Sequence, residues 1–294
     1  MCSLLPSQLH RQSRIAIRKV CGIAFSIDFV SIGGFIGQPI STRFAQFQAF
    51  EKFANSANYD PYAALINNYV YTAASDWIIA SNYEYTKPQA YPPVFKPFTD
   101  LPQTFNTMRI SNLTDFTVEL SATNPAGSRN LFATGTFKNN AQTMQSYFDL
   151  ANSTIQAGGL TGLKSVAGLV LSLTFQALPQ TIISKATQNG GNSLGLDSSD
   201  GDLVNVLLTI QYKLATDDAK VNEAAQDLFT KAEAASKTAG TYNPYLYLNY
   251  AAKWQKPING YGAQSVANLK AVSTKYDPGK LFQNQVPGGF KLND

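Results

Sequence analysis

Phenols and carboxamides, rather than imidazoles or thiols, are the side chains this sequence places where chemistry could happen. In the run 245–251, Tyr-Leu-Tyr-Leu-Asn-Tyr-Ala, strand alternation puts Tyr245, Tyr247, Asn249 and Ala251 on one face and Leu246, Leu248 and Tyr250 on the other. A surface of this kind holds a flat organic molecule by stacking and hydrogen bonding. A tyrosine beside a cation could also act as a base once its pKa is lowered. Histidine chemistry has little to work with: the one histidine, His10, lies in a basic leader, which leaves no Ser-His-Asp triad, Cys-His pair or histidine-ligated metal site. Cys2 and Cys21 share that leader and make no disulfide framework. There is no P-loop, and GGFIGQ at 33–38 lacks the spacing of a dinucleotide fingerprint. Asp197, Asp200 and Asp202 lack the bidentate glutamate and regular spacing of a calcium loop and read as a solvated turn.

The elements that must position these groups follow from periodicity. A strand over 28–38 ends at Pro39, and Ser41 or Thr42 caps a helix to about residue 57, with Phe44, Phe47, Phe50 and Phe53 as a core stripe. Strands are expected over 65–72, 77–85 and 114–123, with the proline-rich run 87–102 as an extended loop. A turn at 124–129 would join the third of these to a strand over 130–137 as a hairpin, followed by a helix over 141–156. Two further strands each have one apolar and one polar face. In 169–176, Leu171, Leu173 and Phe175 oppose Ser172, Thr174 and Gln176; in 203–214, Val204, Val206, Leu208, Ile210 and Tyr212 oppose Asn205, Thr209 and Gln211. Between them a Gly/Ser/Asn/Asp-rich loop carries Asn192. A helix over 217–239 leads to the 245–251 strand, and a last helix over 263–276 stops at Asp277-Pro278. The sum is α+β: a large antiparallel sheet covered on one face by helices, its other face polar and aromatic.

Composition supports a globular body. The 294 residues are 44% hydrophobic and 12% aromatic, enough for one large domain or two ordinary ones. A net charge of +4 without a basic stripe argues against nucleic-acid binding. The leader lacks the apolar h-region of a secretory signal, and no stretch reaches the ~20 apolar residues of a membrane span, so the chain reads as soluble with no compartment assigned.

From Thr241 onward the chain contains, in series, YLNYA, Trp254, Tyr261-Gly262, a helix, KYDP, LF and PGGFKL. In that order the segment resembles the close of the FAD-linked oxidases of the berberine-bridge-enzyme type, within the vanillyl-alcohol-oxidase class. GGFIGQPIS (33–41), YDPYAALINNYVY (59–71), YTKPQAYPPVFKPF (85–98), FQALP (175–179) and GGNSLGL (190–196) are similar to its fungal members, so the resemblance spans 33–292. It implies an oxidoreductase that takes a hydride from a small organic substrate, with a place in secondary metabolism, and passes electrons through FAD to oxygen. The Arg-Ser-Gly-Gly-His run to which family members attach their flavin does not occur. The resemblance therefore implies the substrate-binding half, in truncated form, with a partner chain supplying the FAD-binding half. On this reading 1–28 is an unmatched leader, 29–240 the substrate-binding domain and 241–294 a segment returning towards the flavin domain. By the same analogy Asn249 and Tyr250 approach the isoalloxazine as cofactor-binding residues, while Tyr247, Gln176, Asn192 and Tyr212 line the substrate side; no catalytic residue and no metal ligand is assigned. Alternation sets Tyr250 opposite Asn249, so both reach a ring only if the strand bulges. The alternatives are a flavin-free binding or cyclase-like protein, or an inactive truncated form with exposed apolar surface.

Overall fold

A computed structural model describes residues 31–89, 91–123, 126–157 and 162–292. The 1–28 leader, with His10 and both cysteines, lies outside the described residues. Among the described residues nine strands form one antiparallel sheet: β1 (Ser31–Pro39), β2 (Ala63–Thr72), β3 (Asp76–Tyr85), β4 (Phe105–Asn106), β5 (Arg109–Ser111), β6 (Arg129–Lys138), β7 (Val170–Leu178), β8 (Leu203–Tyr212) and β9 (Tyr242–Asn243). Their spatial order is β4-β1-β3-β2-β7-β8-β6-β9, with β5 also paired to β1. The expected α+β sheet is thus present.

Alternation decides which face is packed. Leu65, Tyr69, Ile79, Tyr83, Leu173, Phe175, Leu208 and Ile210 all point to one side, where they are buried beneath three helices: α1 (Arg43–Phe53), α3 (Ala141–Gln156) and α4 (Asp218–Thr238). The α1 stripe is narrower than expected. Phe47 and Phe50 are fully buried, but Phe44 is 41% exposed, because each three-residue step turns back by about 60° and carries Phe44 to the far side from Phe53. Within the proline-rich run, a short turn of helix at Lys96–Thr99 drives Phe95 and Phe98 into the core against Tyr83.

Two strand expectations are corrected. Residues 114–123 are not a strand but most of a helix, α2 (Leu113–Ala122). Asn112 caps it by accepting from the Asp115 N–H at 2.9 Å, and Asp115 favours the first turn. The alternating Phe116, Val118 and Leu120 that suggested a strand are splayed by the helical turn, so Phe116 is buried against Gly33 whereas Val118 is 63% exposed. The hairpin expected at 124–129 does not form either, since β6 pairs with β8 and β9.

The 245–251 run is likewise not a strand. After β9 the chain leaves the sheet at Pro244 and makes a single 3-10 turn at Leu248–Tyr250. Proline cannot donate to a ladder, and the next slot along β6 is taken by a side chain. The Gln255 amide donates to the Thr134 carbonyl at 2.6 Å and accepts from the Thr134 N–H at 3.0 Å, acting as a one-residue strand. Downstream, α5 (Ala263–Tyr276) forms where periodicity places it. No helix among the described residues is long and apolar enough to cross a membrane.

Candidate functional site

The face of the sheet away from α1, α3 and α4 is open and hollow. A cavity of about 480 Å³ lies there, floored by β1, β3, β2, β7, β8 and β6 and walled on one side by α2 and the β4 strand. Floor residues alternate with the packed ones: Ile66, Asn68 and Val70 on β2, Val170 and Ser172 on β7, Thr209 and Gln211 on β8, and Asn130 on β6. Apolar and polar side chains thus mix over a concave floor, a composition suited to a small organic molecule.

Asn68 occupies that centre. Its Oδ1 accepts from Ser172 Oγ at 2.5 Å and from Thr174 Oγ1 at 2.8 Å, both across the β2–β7 ladder. Between the Ile66–Asn82 and Tyr69–Ile79 pairs the β2–β3 ladder is bridged by the Ser81 hydroxyl, which accepts from the Asn68 N–H at 3.3 Å and from Asn67 Nδ2 at 3.1 Å. Asn67 itself points into the packed core. On the α2 wall, Glu119 and Asp115 both pair with Arg109 at 2.6 Å, so the guanidinium joins α2 to β5 and is raised in pKa by Glu119 first and Asp115 second. Glu84 lies on the same face of β3, opposite Gly33 and Ala64, half-buried and in no ion pair among the described residues. Burial raises its pKa.

The structure brings four of the six expected site residues together. Gln176 Nε2 donates to Tyr250 Oη at 3.4 Å; the Tyr250 ring meets Tyr247 edge-on at 4.7 Å; and Asn249 Nδ2 donates to Tyr247 Oη at 2.9 Å. Phe132, on the open face of β6, packs edge-on against Tyr250 at 6.4 Å. The 3-10 turn therefore folds over the β6–β7 side of the open face, and Asn249 and Tyr250 reach one cluster through a turn rather than a bulged strand.

The other two make no bond or ring contact with this cluster, although Tyr212 lines a hollow at the β6 edge together with Phe132 and Asn249. Tyr212 is buried on the helix-covered face, donating to Asp218 Oδ1 at 2.8 Å beside Arg129, whose two nitrogens each reach the same carboxylate at 2.6 Å. Burial and then the Asp218 bond raise its pKa, outweighing Arg129, so this phenol is the opposite of an activated base. Tyr245, stacked on Tyr261, is pushed up to about 12, chiefly by burial. Asn192 is used within its own loop, accepting from the Leu194 N–H at 2.8 Å and donating to the Leu196 carbonyl at 2.9 Å. No acidic, histidine or cysteine cluster among the described residues could hold a metal.

Asn68 and Glu84 were not singled out from the sequence, although a signal for Asn68 is there. In LINNYVY, Leu65, Asn67 and Tyr69 fall on one face and Ile66, Asn68 and Val70 on the other, so the second asparagine is the one set on the open face.

Solved structures place the fold first. The chain superposes on 6-hydroxy-D-nicotine oxidase from Arthrobacter nicotinovorans with a TM-score of 0.58 at 15% identity, over 87% of this chain and 54% of that one. It superposes on xylooligosaccharide oxidase from Myceliophthora thermophila with a TM-score of 0.60 at 10% identity, over 86% and 54%. The fold is therefore shared with about half of each of these oxidases. Among curated proteins it is 36% identical over 276 residues to the FAD-dependent monooxygenase elcE of Phaeosphaeria nodorum, covering 89% of this chain and 77% of that protein. It is 35% identical over 274 residues to the FAD-dependent monooxygenase CTB5 of Cercospora beticola, covering 88% and 50%. No protein-family model matches. The chain belongs to the family of fungal FAD-dependent monooxygenases, and it spans between 50% and 77% of the length of these two relatives.

Proposed function

We propose that this chain is the substrate-facing portion of an FAD-linked oxidoreductase of the berberine-bridge-enzyme type, acting on a small organic molecule of secondary metabolism with oxygen as electron acceptor. The observation that carries this is the hollow open face, with its amide centre, in a sheet whose other face is fully packed. A flat organic ring suits this floor, on which apolar residues lie around Asn68, with Gln176 and Tyr250 at the margin. The pyrophosphate needs backbone N–H groups or cations of another kind, such as a helix N-terminus. We assign that role to an FAD-binding portion outside the described residues, in the same polypeptide or in a partner chain.

When bound, the flavin supplies the two-electron chemistry; the protein supplies position and electrostatics. In this chain the floor would hold the substrate flat, the α2 wall and the Tyr250 turn would limit water, and Asn68 would orient a polar substituent. The C-terminal segment supports the same reading. No side chain of α5 is buried, and Val272 and Tyr276 on it and Phe282 beyond are more than half exposed, an apolar strip suited to docking on the flavin-binding portion.

The test is a titration of the purified chain with lumiflavin, which is the ring alone, and with FAD, followed by flavin fluorescence and visible absorption. Both are expected to bind with similar affinity, and Ser172→Trp, which fills the hollow, is expected to abolish binding of both. A chain that takes up neither, or a Ser172→Trp variant that binds as well as the parent, overturns the assignment.

A further inference from the structure

We propose that Asn68 is the specificity-determining hydrogen-bond donor of the open face, and that its amide N–H groups hold an acceptor oxygen of the substrate, a ring carbonyl or an ionised phenol. The proposal rests on the reading of the open face as the substrate surface and adds the substituent that surface selects.

Two hydroxyls fix which end of the amide faces the cavity. Ser172 Oγ and Thr174 Oγ1 both donate to Oδ1. The two hydroxyls also lie within reach of each other at 3.3 Å. With Oδ1 on the two hydroxyls, Nδ2 is directed away from them.

Nδ2 then has no hydrogen-bond partner among the described residues. Its neighbours along the floor are Ile66 and Val70 on the same strand and, on β3, Ile78 opposite Val70, while β7 sets Thr174 opposite it. A donor in such surroundings is costly to cover with apolar surface, so a ligand that seats on this floor must bring an acceptor to it. The one carboxylate lining the hollow, Glu119, is already engaged by Arg109. The site therefore offers a neutral, preoriented donor to an oxygen acceptor and disfavours an ammonium or a bare hydrocarbon at that position. The Ser81 hydroxyl on the Asn68 N–H holds the backbone beneath it.

Asn68→Asp separates this role from packing, because the carboxylate keeps the shape and still accepts from Ser172 and Thr174 while both N–H donors are gone. The probes are chromone, a flat bicycle with a ring carbonyl, and naphthalene, a flat bicycle with none, each measured against the whole chain by ligand-observed NMR. The parent is expected to prefer chromone. Asn68→Asp should weaken chromone by roughly tenfold, the worth of one lost hydrogen bond, and leave naphthalene within about twofold. Removing the clamp with Ser172→Ala and Thr174→Val should weaken chromone by a smaller factor, about threefold, because the donor survives but is no longer held in place. Should Asn68→Asp fail to fold by circular dichroism, Asn68→Leu gives the same comparison without a charge. Equal effects on both probes, or none on chromone, overturn the assignment of Asn68. If lumiflavin still binds in that case, the reading of the open face stands and only the donor role falls; if lumiflavin, chromone and naphthalene all fail to bind the parent, both fall together.

Discussion

Glu84 is a carboxyl set by burial rather than by a partner. In β3 it faces the open side between Gly33 and Ala64, with no cation paired to it among the described residues, and desolvation raises its pKa above the ordinary 4.5. The ionised form is thus penalised in the folded chain and not in the unfolded one. Stability is full below the usual glutamate value and declines as pH climbs through the raised folded value. Glu84→Gln should therefore match the parent near pH 4 and exceed it at pH 7, by on the order of 1–3 °C in Tm given that the group is only half-buried. Melting curves of both proteins between pH 4 and 8 check this, and a Tm difference that does not change with pH would refute it. The same residue-scale logic explains what was legible in the sequence. Gln176 follows from alternation alone, since polar and apolar positions of 169–176 sort cleanly onto two faces. Tyr212 follows from it too, on the apolar side, where its hydroxyl finds Asp218. Asn192 is a local turn-former, a role that its bonds to Leu194 and Leu196 reveal.

At the scale of elements, a single side chain decides where the tyrosine cluster sits. Gln255 is buried and makes three hydrogen bonds, two to the backbone of Thr134 and one from the Ala252 N–H at 2.9 Å. It pins residues 244–256 to the edge of β6, which brings the Tyr250 turn over Phe132 and Gln176. Gln255→Ala leaves the Thr134 groups unpaired, an expected cost of about 3 kcal/mol, or on the order of 5–10 °C in Tm. Gln255→Glu keeps the acceptor but not the donor to the Thr134 carbonyl and should fall between the two. Thermal melts order the three proteins; an alanine variant as stable as the parent would show that the edge does not depend on this amide. Here the sequence was least legible, for a physical reason. YLYLNYA alternates as a strand does, but whether a strand forms depends on a free ladder slot, and a glutamine that follows it in sequence fills that slot. The misassigned 114–123 run is different, because its signal was local: Asn112 followed at three residues by Asp115 is a helix start.

Across the whole molecule, the six long strands were legible because each has its own alternation, while the short β4, β5 and β9 were not, being too brief to alternate, and neither was the strand order, because β6 finds β8 rather than its neighbour in sequence. The same long-range packing bears on how 241–292 belongs to the rest. Its first part is built into the sheet. β9 pairs with β6, Tyr245 stacks on Tyr261, and Ala252, Gln255 and Tyr261 are buried. Its second part, from α5 onward, buries no side chain in α5 or in the short helix Leu281–Asn284. We expect the two parts to separate on truncation. A chain ending at Gly262 keeps β9 and the Gln255 bonds to Thr134 and should melt within about 2 °C of the full chain, since an exposed helix contributes little packing free energy. A chain ending at Gly240 loses β9 and Gln255 and uncovers the edge of β6, so it should lose cooperative melting or associate through that edge. Melting curves and light scattering on the two truncations decide between this and a separately folded C-terminal unit. A stable, monomeric chain ending at Gly240 would establish the separate unit, and a large loss of stability on ending at Gly262 would mean that α5 holds the sheet together despite its exposed face.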